Sequence, residues 1–426
     1  MTYRFIAVFA VLLLAGPAGA FEPLAFYKTL HASPELSFQE VKTAARLARE
    51  LRAAGFAVTE GVGGHGVVAV LENGPGPTVM LRMDMDALPV REQTGLPYAS
   101  EVTATAQDGR PVHVMHACGH DVHMTVVTAT ARELAARRDG WRGTLLVIAQ
   151  PAEERGAGAR LMLADGLFER FPTPDYNLSL HTLATLPAGR VGYVSGYMMA
   201  NVDSVDIHLK GTGGHGAYPH AAKDPVVLAA AIIMNLQTLV SRELHPTEPG
   251  VVTVGSIHAG TKHNIIPDAA TLQLTVRSYS DAVRRTLLDG IRRIARKQAE
   301  ALGFGPALAP QVRVRDEYTP ALYNDPALVE RGVAAMAAAL GEDRVVPVPK
   351  EMGGEDFARY GRTPEDIPGF MIRLGVVPAA LWERAGRGEA TLPSLHSPFF
   401  APDPVPTLRT GIAALTALAR ELLGAP

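Results

Sequence analysis

Two short segments place a thiol, an imidazole and two carboxylates at spacings that suit a metal site. Cys118 and His120 lie two residues apart, and an extended backbone would direct both side chains to one side. A thiolate and an imidazole are good ligands for zinc, nickel, cobalt or manganese. Glu153 and Glu154 follow an apolar run, where an exposed surface pair is a poor explanation. One carboxylate of such a pair can bind metal while the other accepts a proton from water.

Three further segments carry polar residues just after predicted strands. They hold Asp84 with Asp86, then His181, then His396. In open α/β sheets, ligands bind outside the carboxyl ends of strands, so these side chains are expected to meet the first two segments. A single histidine or cysteine at such a place is more often a buried core residue than a ligand. The coincidence of five donor positions favours a metal site over that alternative.

The order of predicted elements indicates how these segments are positioned. Short apolar strands alternate with helices, which is typical of an α/β domain with a largely parallel sheet flanked by helices. Predicted strands cover 67–72, 78–83, 144–149 and 177–180, and predicted helices cover 25–30, 40–54, 124–137, 157–164, 326–340 and 405–423.

From residue 204 the pattern changes to β-α-β-β-α-β, the order of a ferredoxin-like α+β unit. We therefore predict an inserted domain at 201–318, with the catalytic domain at 21–200 and 319–426.

Composition narrows the classes of function. The 426 residues are 47% hydrophobic, which is enough for a large core, and no long basic run accompanies the net charge of -3, so a nucleic-acid partner is not expected. Residues 1–20 combine Arg4, an apolar run and a small-residue site, which predicts a signal peptide and export to the periplasm or beyond. A membrane anchor is the alternative, but the run is shorter than the roughly 20 residues that a span needs. We expect no membrane span after its removal.

Six motifs, in this order, resemble the M20 family of metallopeptidases, and within it the amidohydrolase branch of hippurate and auxin-conjugate hydrolases. The motifs lie at 115–123, 150–154, 211–220, 263–267, 352–357 and 395–398. The resemblance implies a metal-dependent exopeptidase-like catalytic domain that binds two divalent ions (zinc, manganese, nickel or cobalt). It covers almost the whole chain after the predicted signal peptide.

The resemblance also implies roles for particular residues. Cys118 is similar to a bridging ligand in the place of a carboxylate, and Glu153 corresponds to the general base. Asp86 is expected to orient a ligand, and Asp84 is not expected to bind metal. The remaining ligand positions of the family correspond to His120, Glu154, His181 and His396.

In this family the inserted domain acts as a lid and a dimerisation surface, so the resemblance implies a homodimer. His215 corresponds to a histidine that reaches the partner's active site and stabilises the oxyanion. Asn264 and Arg277 correspond to positions that contact the substrate carboxylate, although Arg277 as plain surface charge stays open. Structural roles for His123 and His220 stay open too.

The predicted function is metal-dependent hydrolysis of the amide bond of N-acyl amino acids, with acetyl, benzoyl or indole-acetyl acyl groups. A carboxypeptidase or dipeptidase on the same site is the nearest alternative. A non-catalytic binding protein is disfavoured by Glu153 beside Glu154, and a purely structural role is disfavoured further. The segment 100–112 is longer than in the simplest members of the branch, and we expect it to shape the acyl pocket.

Overall fold

The computed structural model describes residues 21–316 and 318–426, so the predicted signal peptide lies outside the described residues. The α-helices of this part are α1 (Pro23–His31), α2 (Val41–Ala53), α3 (His120–Ala136), α4 (Gly158–Ala164), α5 (Leu167–Arg170), α6 (Pro225–Thr238), α7 (Asp281–Ala301), α8 (Pro326–Leu340), α9 (Ala379–Gly386) and α10 (Pro404–Leu422).

The strands of the same part alternate with these helices. They are β1 (Ala57–Val62), β2 (Gly66–Asn73), β3 (Thr78–Asp84), β4 (Thr103–Thr105), β5 (Pro111–His113), β6 (Gly143–Gln150), β7 (Tyr176–Pro187), β8 (Val191–Tyr193), β9 (Gly196–Met199), β10 (Asn201–Lys210), β11 (Gly214–His215), β12 (Gly250–Ala259), β13 (Ile265–Ile266), β14 (Ala269–Ser278), β15 (Gln311–Val314), β16 (Leu322–Asn324), β17 (Val345–Pro347) and β18 (Gly369–Val377).

Eight strands form the large sheet, in the order β1-β2-β6-β3-β7-β18-β8-β17. The four central strands β6, β3, β7 and β18 run parallel to one another. Buried residues of α2, α3, α8 and α10 pack on one face of the sheet, and those of α4 and a 3-10 helix at Asp356–Gly361 pack on the other. The predicted α/β class, with a largely parallel sheet flanked by helices, is confirmed.

The sequence prediction was incomplete for two central strands. β7 runs for 12 residues, well past the predicted 177–180, and β18 was not predicted at all. Polar residues within the two strands explain both errors. Leu178 and Leu180 enter the main core, whereas His181 on β7 and Arg373 on β18 interrupt the apolar pattern. A polar site inside a strand weakens the periodicity on which strand prediction depends.

A second, smaller sheet has the antiparallel order β12-β14-β10-β15, with α6 and α7 packed against it around a core of its own. This is the predicted ferredoxin-like arrangement. Local signals begin both helices: Pro225 starts α6 while Asp224 accepts hydrogen bonds from two backbone N–H groups, and the Ser280 hydroxyl caps α7. The chain passes between the two units through β9 and β16, which pair antiparallel.

Among the described residues, one helical stretch, Pro225–Glu243, is long and apolar enough to cross a membrane by length and composition alone. One face of it packs into the small core through Leu228 and Ile232, whereas Val227 and Met234 are exposed. The neighbouring β12 is an edge strand of its sheet and exposes Ile257. An exposed apolar helix face beside an open sheet edge is typical of a surface that another protein covers.

Candidate active site

Six of the polar side chains singled out from the sequence line one cavity of about 650 Å³, and they are Cys118, Glu153, Glu154, His181, Arg277 and His396. Its walls come from the carboxyl-terminal side of the large sheet and from the inner side of the small sheet. The lining includes Cys118, Glu153, Glu154, His181, Arg277, Glu355, Arg373 and His396. Donors that range from buried Cys118 to exposed His396 therefore share a single space with a cation from the smaller unit.

Among the described residues, five groups of donor atoms could hold a metal ion, and two of these groups share Cys118. In the first group Cys118 lies with His120 and His181, and its Sγ is 3.5 Å from His181 Nε2. In the second group it lies with Glu154 and His396, where His396 Nε2 is 3.5 Å from Glu154 Oε1. All atoms of a group lie within 4.8 Å of one another. A shared thiol between two donor groups is the arrangement that a bridged pair of ions needs.

Two of these donor atoms make no hydrogen bond to any described residue. His120 Nε2 and Glu154 Oε1 are buried without a hydrogen bond, and they lie 3.9 Å apart. Buried polar atoms are nearly always paired, so an orphaned imidazole nitrogen facing an orphaned carboxylate oxygen requires an explanation. A divalent cation between them would satisfy both atoms. The residues present thus fit a metal site of mixed nitrogen, oxygen and sulfur ligands.

The local backbone around Cys118 differs from the prediction. We expected an extended segment, but Cys118 lies in a turn, Gly119 is left-handed with φ of 83°, and α3 begins at His120 instead of at 124. A β-carbon at position 119 would lie 2.7 Å from Thr182 Cγ2, so the turn needs glycine. Cys118 and His120 therefore meet around a turn.

The other two histidines also depart from the expected position just after a strand. His181 lies inside β7, and His396 lies in a loop with φ of 66°. The parallel pairing of β7 with β18 positions His181, and a tight loop positions His396, at the same cavity. Sequence periodicity alone did not predict that the two histidines would meet.

Asp86 organises the loop that carries the two glutamates. Its carboxylate accepts the backbone N–H groups of Glu153 and Glu154, each at 3.1 Å, and the Ser37 hydroxyl at 2.6 Å. Its backbone oxygen is 2.8 Å from His120 Nδ1, which leaves Nε2 of that ring directed to the donor groups. These contacts suit the predicted orienting role, because partners outside the ligand shell fix ligand direction.

Asp84 and His123 are engaged by other protein groups. Asp84 accepts a hydrogen bond from Arg82 at 2.7 Å and lies 2.6 Å from His123 Nδ1. His123 Nε2 accepts the Thr182 N–H at 2.9 Å, so both ring nitrogens are used. Burial opposes ionisation of Asp84, but His120, His123 and Arg82 outweigh it and hold its pKa well below the usual range. These contacts suit a structural role for His123.

Glu153 is buried and lies in an acidic environment. Burial, followed by Glu355 and Glu154, raises the pKa of its carboxyl well above the usual value. A carboxyl with a raised pKa near a polar cavity is a good candidate for proton transfer at neutral pH. The side chain stands 3.9 Å from His120 Nε2, at the edge of the donor groups.

Sequence reasoning missed the ion cluster behind Glu153. Buried Arg82 pairs with Glu355 at 2.9 Å and with Asp356 at 3.0 Å. Burial raises the pKa of Glu355 to about 7 although Arg82 opposes this. The available signal was the adjacent acidic pair within the motif at 352–357, which is the same signal that drew attention to Glu153 and Glu154.

Arg373 is a second residue to which sequence reasoning gave no role. It stands beside His181 in the register of β18 and β7, and it pairs with Glu351 at 2.5 Å. Because Arg373 lies inside β18, which was not predicted, no sequence pattern indicated that it is near the site.

The smaller unit contributes Arg277 to the cavity but not His215 or Asn264. Arg277 bonds Thr275 Oγ1 at 2.9 Å and the Met352 carbonyl at 3.4 Å, and within the described chain no carboxylate pairs with it. Burial lowers its pKa. His215 and Asn264 are exposed, and their segments are joined by a hydrogen bond from the Gly216 N–H to the Asn264 carbonyl. Neither residue lines the cavity, and His220 does not line it either.

The segment before the Cys118 turn has a different place from the one expected. Its strands β4 and β5 form a hairpin whose apolar side chains pack on Leu36, Ala87 and Val114. Among the described residues, none of 100–112 lines the cavity. Shaping of the acyl pocket by this segment therefore stays a prediction, and the cavity of the single chain gives it no support.

Comparison with known proteins agrees with this site. Residues 80–421 match the family model described as peptidase family M20/M25/M40. The chain is 37% identical to N-acetylcysteine deacetylase of Bacillus subtilis (strain 168) over 358 residues, which are 83% of this chain and 88% of that protein. The chain belongs to peptidase family M20. It is accordingly a hydrolase of amide bonds.

Other M20 relatives differ in their named substrates. The chain is 40% identical to hippurate hydrolase of Campylobacter jejuni over 64% of this chain and 68% of that protein. It is 34% identical to thermostable carboxypeptidase 2 of Saccharolobus solfataricus over 82% of this chain and 84% of that protein. The crystal structure of Bacillus subtilis YXEP, described as a dinuclear metal-binding peptidase of the M20 family, superposes with a TM-score of 0.74 at 32% identity, covering 94% of this chain and 97% of that one.

Proposed function

We propose that the protein hydrolyses the amide bond of N-acyl amino acids at a site of two divalent metal ions. The observation that carries the proposal is the pair of donor groups sharing Cys118, with buried Glu153 beside them and Arg277 across the same cavity. The relatives named for N-acetylcysteine and hippurate support this substrate class. Their acyl groups differ, so the class is better supported than any one acyl group.

The chain's own groups account for the proton transfers. When bound, the metal ions supply Lewis acidity, which polarises a carbonyl and acidifies water. Glu153 accepts a proton from the attacking water and returns it to the departing nitrogen, which is general base and then general acid catalysis. Its raised pKa suits both steps, because the carboxyl can hold the proton between them. Asp86 keeps the loop of Glu153 in place through backbone N–H groups.

A carboxypeptidase or dipeptidase on the same site is the second candidate, supported by the named activity of the Saccharolobus relative. A metal-stripped enzyme reloaded separately with zinc, manganese, cobalt or nickel separates the two candidates. We expect amine release from N-acetyl, N-benzoyl or N-indole-acetyl amino acids. Release from dipeptides alone would move the assignment to a peptidase.

Arg277 is proposed to bind the substrate's α-carboxylate, because it is a half-buried cation that lines the cavity and has no carboxylate partner among the described residues. Hydrogen bonds to charged groups contribute about 1.5–3 kcal/mol. We therefore expect Arg277→Ala to raise KM about 10- to 100-fold for N-acyl amino acids. Steady-state kinetics over a substrate series measures this change.

The matched control is Arg285→Ala, an exposed arginine on α7 outside the cavity lining. It is expected to leave KM unchanged. A substrate whose carboxylate is blocked as an amide should bind Arg277→Ala and the wild type alike. Equal KM values for the free acid in both enzymes would contradict the assignment.

We also infer a homodimer in which His215 completes the partner's site, and export directed by residues 1–20. The exposed apolar face of α6 and the open edge of β12 support the dimer. His215 does not line the cavity of its own chain, although it belongs to one of the family motifs. In a dimer it would line the cavity of the partner chain. An imidazole there would stabilise the oxyanion of the tetrahedral intermediate.

Coexpression of two inactive chains tests this dimer. His215→Ala alone is expected to lower kcat about 10²- to 10³-fold. A mixture of His215→Ala and Glu153→Gln chains should recover about a quarter of wild-type activity, because each mixed dimer contains one complete site. Activity no higher than that of either variant alone, with mixed dimers shown by mass spectrometry, would exclude the shared site.

A further inference from the structure

Glu40 is a fully buried carboxylate at the start of α2 to which the mechanism above gives no role. Its Oε1 accepts the backbone N–H of Phe38 at 3.0 Å and that of Ala152 at 2.8 Å. Its Oε2 is buried and makes no hydrogen bond to any residue that the structure describes. One oxygen thus joins a segment near the start of the described chain to the residue just before Glu153.

Both N–H donors belong to residues with unusual backbone conformations. Phe38 has φ of 69° and Ala152 has φ of 49°, and non-glycine residues seldom adopt such left-handed values. Strained positions of this kind persist only where surrounding contacts fix them. At Ala152 the chain, which has just left β6, turns away from the strand direction. The 3-10 helix Glu153–Arg155, which carries both glutamates, begins directly after it.

Other contacts hold the part of the loop that follows Ala152. Asp86 binds the N–H groups of Glu153 and Glu154, and the Ala152 carbonyl accepts the N–H groups of Ala157 and Gly158, each at 3.2 Å. The Ala152 N–H itself is held by Glu40. Without that acceptor the N–H is buried and unpaired, and the left-handed turn loses the contact that opposes its relaxation.

We propose that Glu40 is a positioning residue that fixes the left-handed turn at Ala152 and thereby directs Glu153 and Glu154 to the cavity. The inference rests on the proposed function for its catalytic consequence, but the backbone contact exists independently of any substrate. The role requires one acceptor oxygen and not a negative charge. Burial, followed by the nearby Asp86, raises the pKa of Glu40 to about 7, and a proton on the free Oε2 would leave Oε1 able to accept.

Three variants separate positioning from general destabilisation. Glu40→Ala removes the acceptor, Glu40→Gln keeps an acceptor oxygen of the same geometry, and Glu35→Ala is the matched control. Glu35 lies in the same segment and caps α2 through the N–H groups of Lys42 and Thr43, at 3.2 and 2.8 Å, without contacting Ala152. All three are made in the full mature chain and loaded with the metal that supports wild-type activity.

We expect Glu40→Ala to lower kcat about 10²-fold with little change in KM, because an error of about 1 Å in a reacting group has an effect of that size. Glu40→Gln should retain kcat within about threefold, and Glu35→Ala should lower only the unfolding temperature. If Glu35→Ala lowers kcat as much, loosening of α2 explains the effect. If Glu40→Gln is as slow as Glu40→Ala, the charge of Glu40 matters more than its acceptor oxygen. Either of these two results overturns the proposal.

Amide hydrogen exchange of 150–155 in the metal-free proteins gives a readout that needs no substrate. The segment should exchange faster in Glu40→Ala than in the wild type, and at the wild-type rate in Glu40→Gln. Unchanged exchange in Glu40→Ala would overturn the positioning role even if the enzyme acted on another amide. Faster exchange together with a wild type inactive on N-acyl amino acids would leave positioning intact and refute only the proposed substrate class.

Discussion

Replacing Glu153 with glutamine is expected to lower kcat by about 10²- to 10⁴-fold, the range that a positioned acid or base contributes. The amide is nearly the same size as the carboxyl, so packing against the donor groups is kept. It cannot accept a proton from water, nor return one to the leaving nitrogen. Single-turnover rates with a chromogenic N-acyl amino acid measure the chemical step directly.

The control for this result is metal content. Glu153→Gln should bind as much metal as the wild type, because Glu153 belongs to neither donor group that contains Cys118, although it lies with His120 and Glu154 in another group. Glu154→Gln should lose metal as well as activity. A Glu153→Gln enzyme that turns over at the wild-type rate would show that another group transfers the proton. One that loses metal would make Glu153 a ligand.

The sequence predicted the site's chemistry better than its geometry. The residue types of the donor groups followed from a thiol, imidazoles and carboxylates near predicted strand ends. The path of the backbone between them did not, because the turn at Gly119 and the left-handed residues Ala152 and His396 depend on contacts distant in sequence. Thr182 donates its hydroxyl to the Cys118 carbonyl 64 positions away, and Glu40 accepts the Ala152 N–H 112 positions away. No local pattern in the sequence reports such pairs.

The buried ion cluster around Arg82 shows a similar limit. Arginine, glutamate and aspartate are usually exposed, so burial of Arg82 with Glu355 and Asp356 contradicts the usual expectation for each residue alone. Their burial is tolerable only because they pair with one another across 273 or more positions. A single sequence contains the partners but not their pairing, whereas the small unit was predicted well because its strands and helices alternate with clear local signals.

Replacing Cys118 with alanine is expected to abolish metal-dependent hydrolysis, because it removes the one donor that both groups share. Burial, followed by Glu154 and Glu153, raises the pKa of this thiol well above its usual value, so the metal-free side chain is protonated. Metal must displace that proton to obtain a thiolate ligand. Metal affinity should fall by more than the roughly 10- to 100-fold that loss of an outer-shell partner causes. Titration calorimetry with competing chelators measures the loss.

Cys118→Asp is the matched variant, since a carboxylate can occupy the shared position and ionises more readily than a thiol in the same surroundings. It should bind both ions and keep part of the activity, and at pH 7 it should release about one proton fewer than the wild type on metal binding. Calorimetry in buffers of different ionisation enthalpy counts those protons. If Cys118→Ala binds metal as tightly as the wild type, the thiol is only a small buried side chain. Equal proton release by Cys118→Asp and the wild type would mean that the thiol stays protonated beside the metal, which a bridging ligand cannot do.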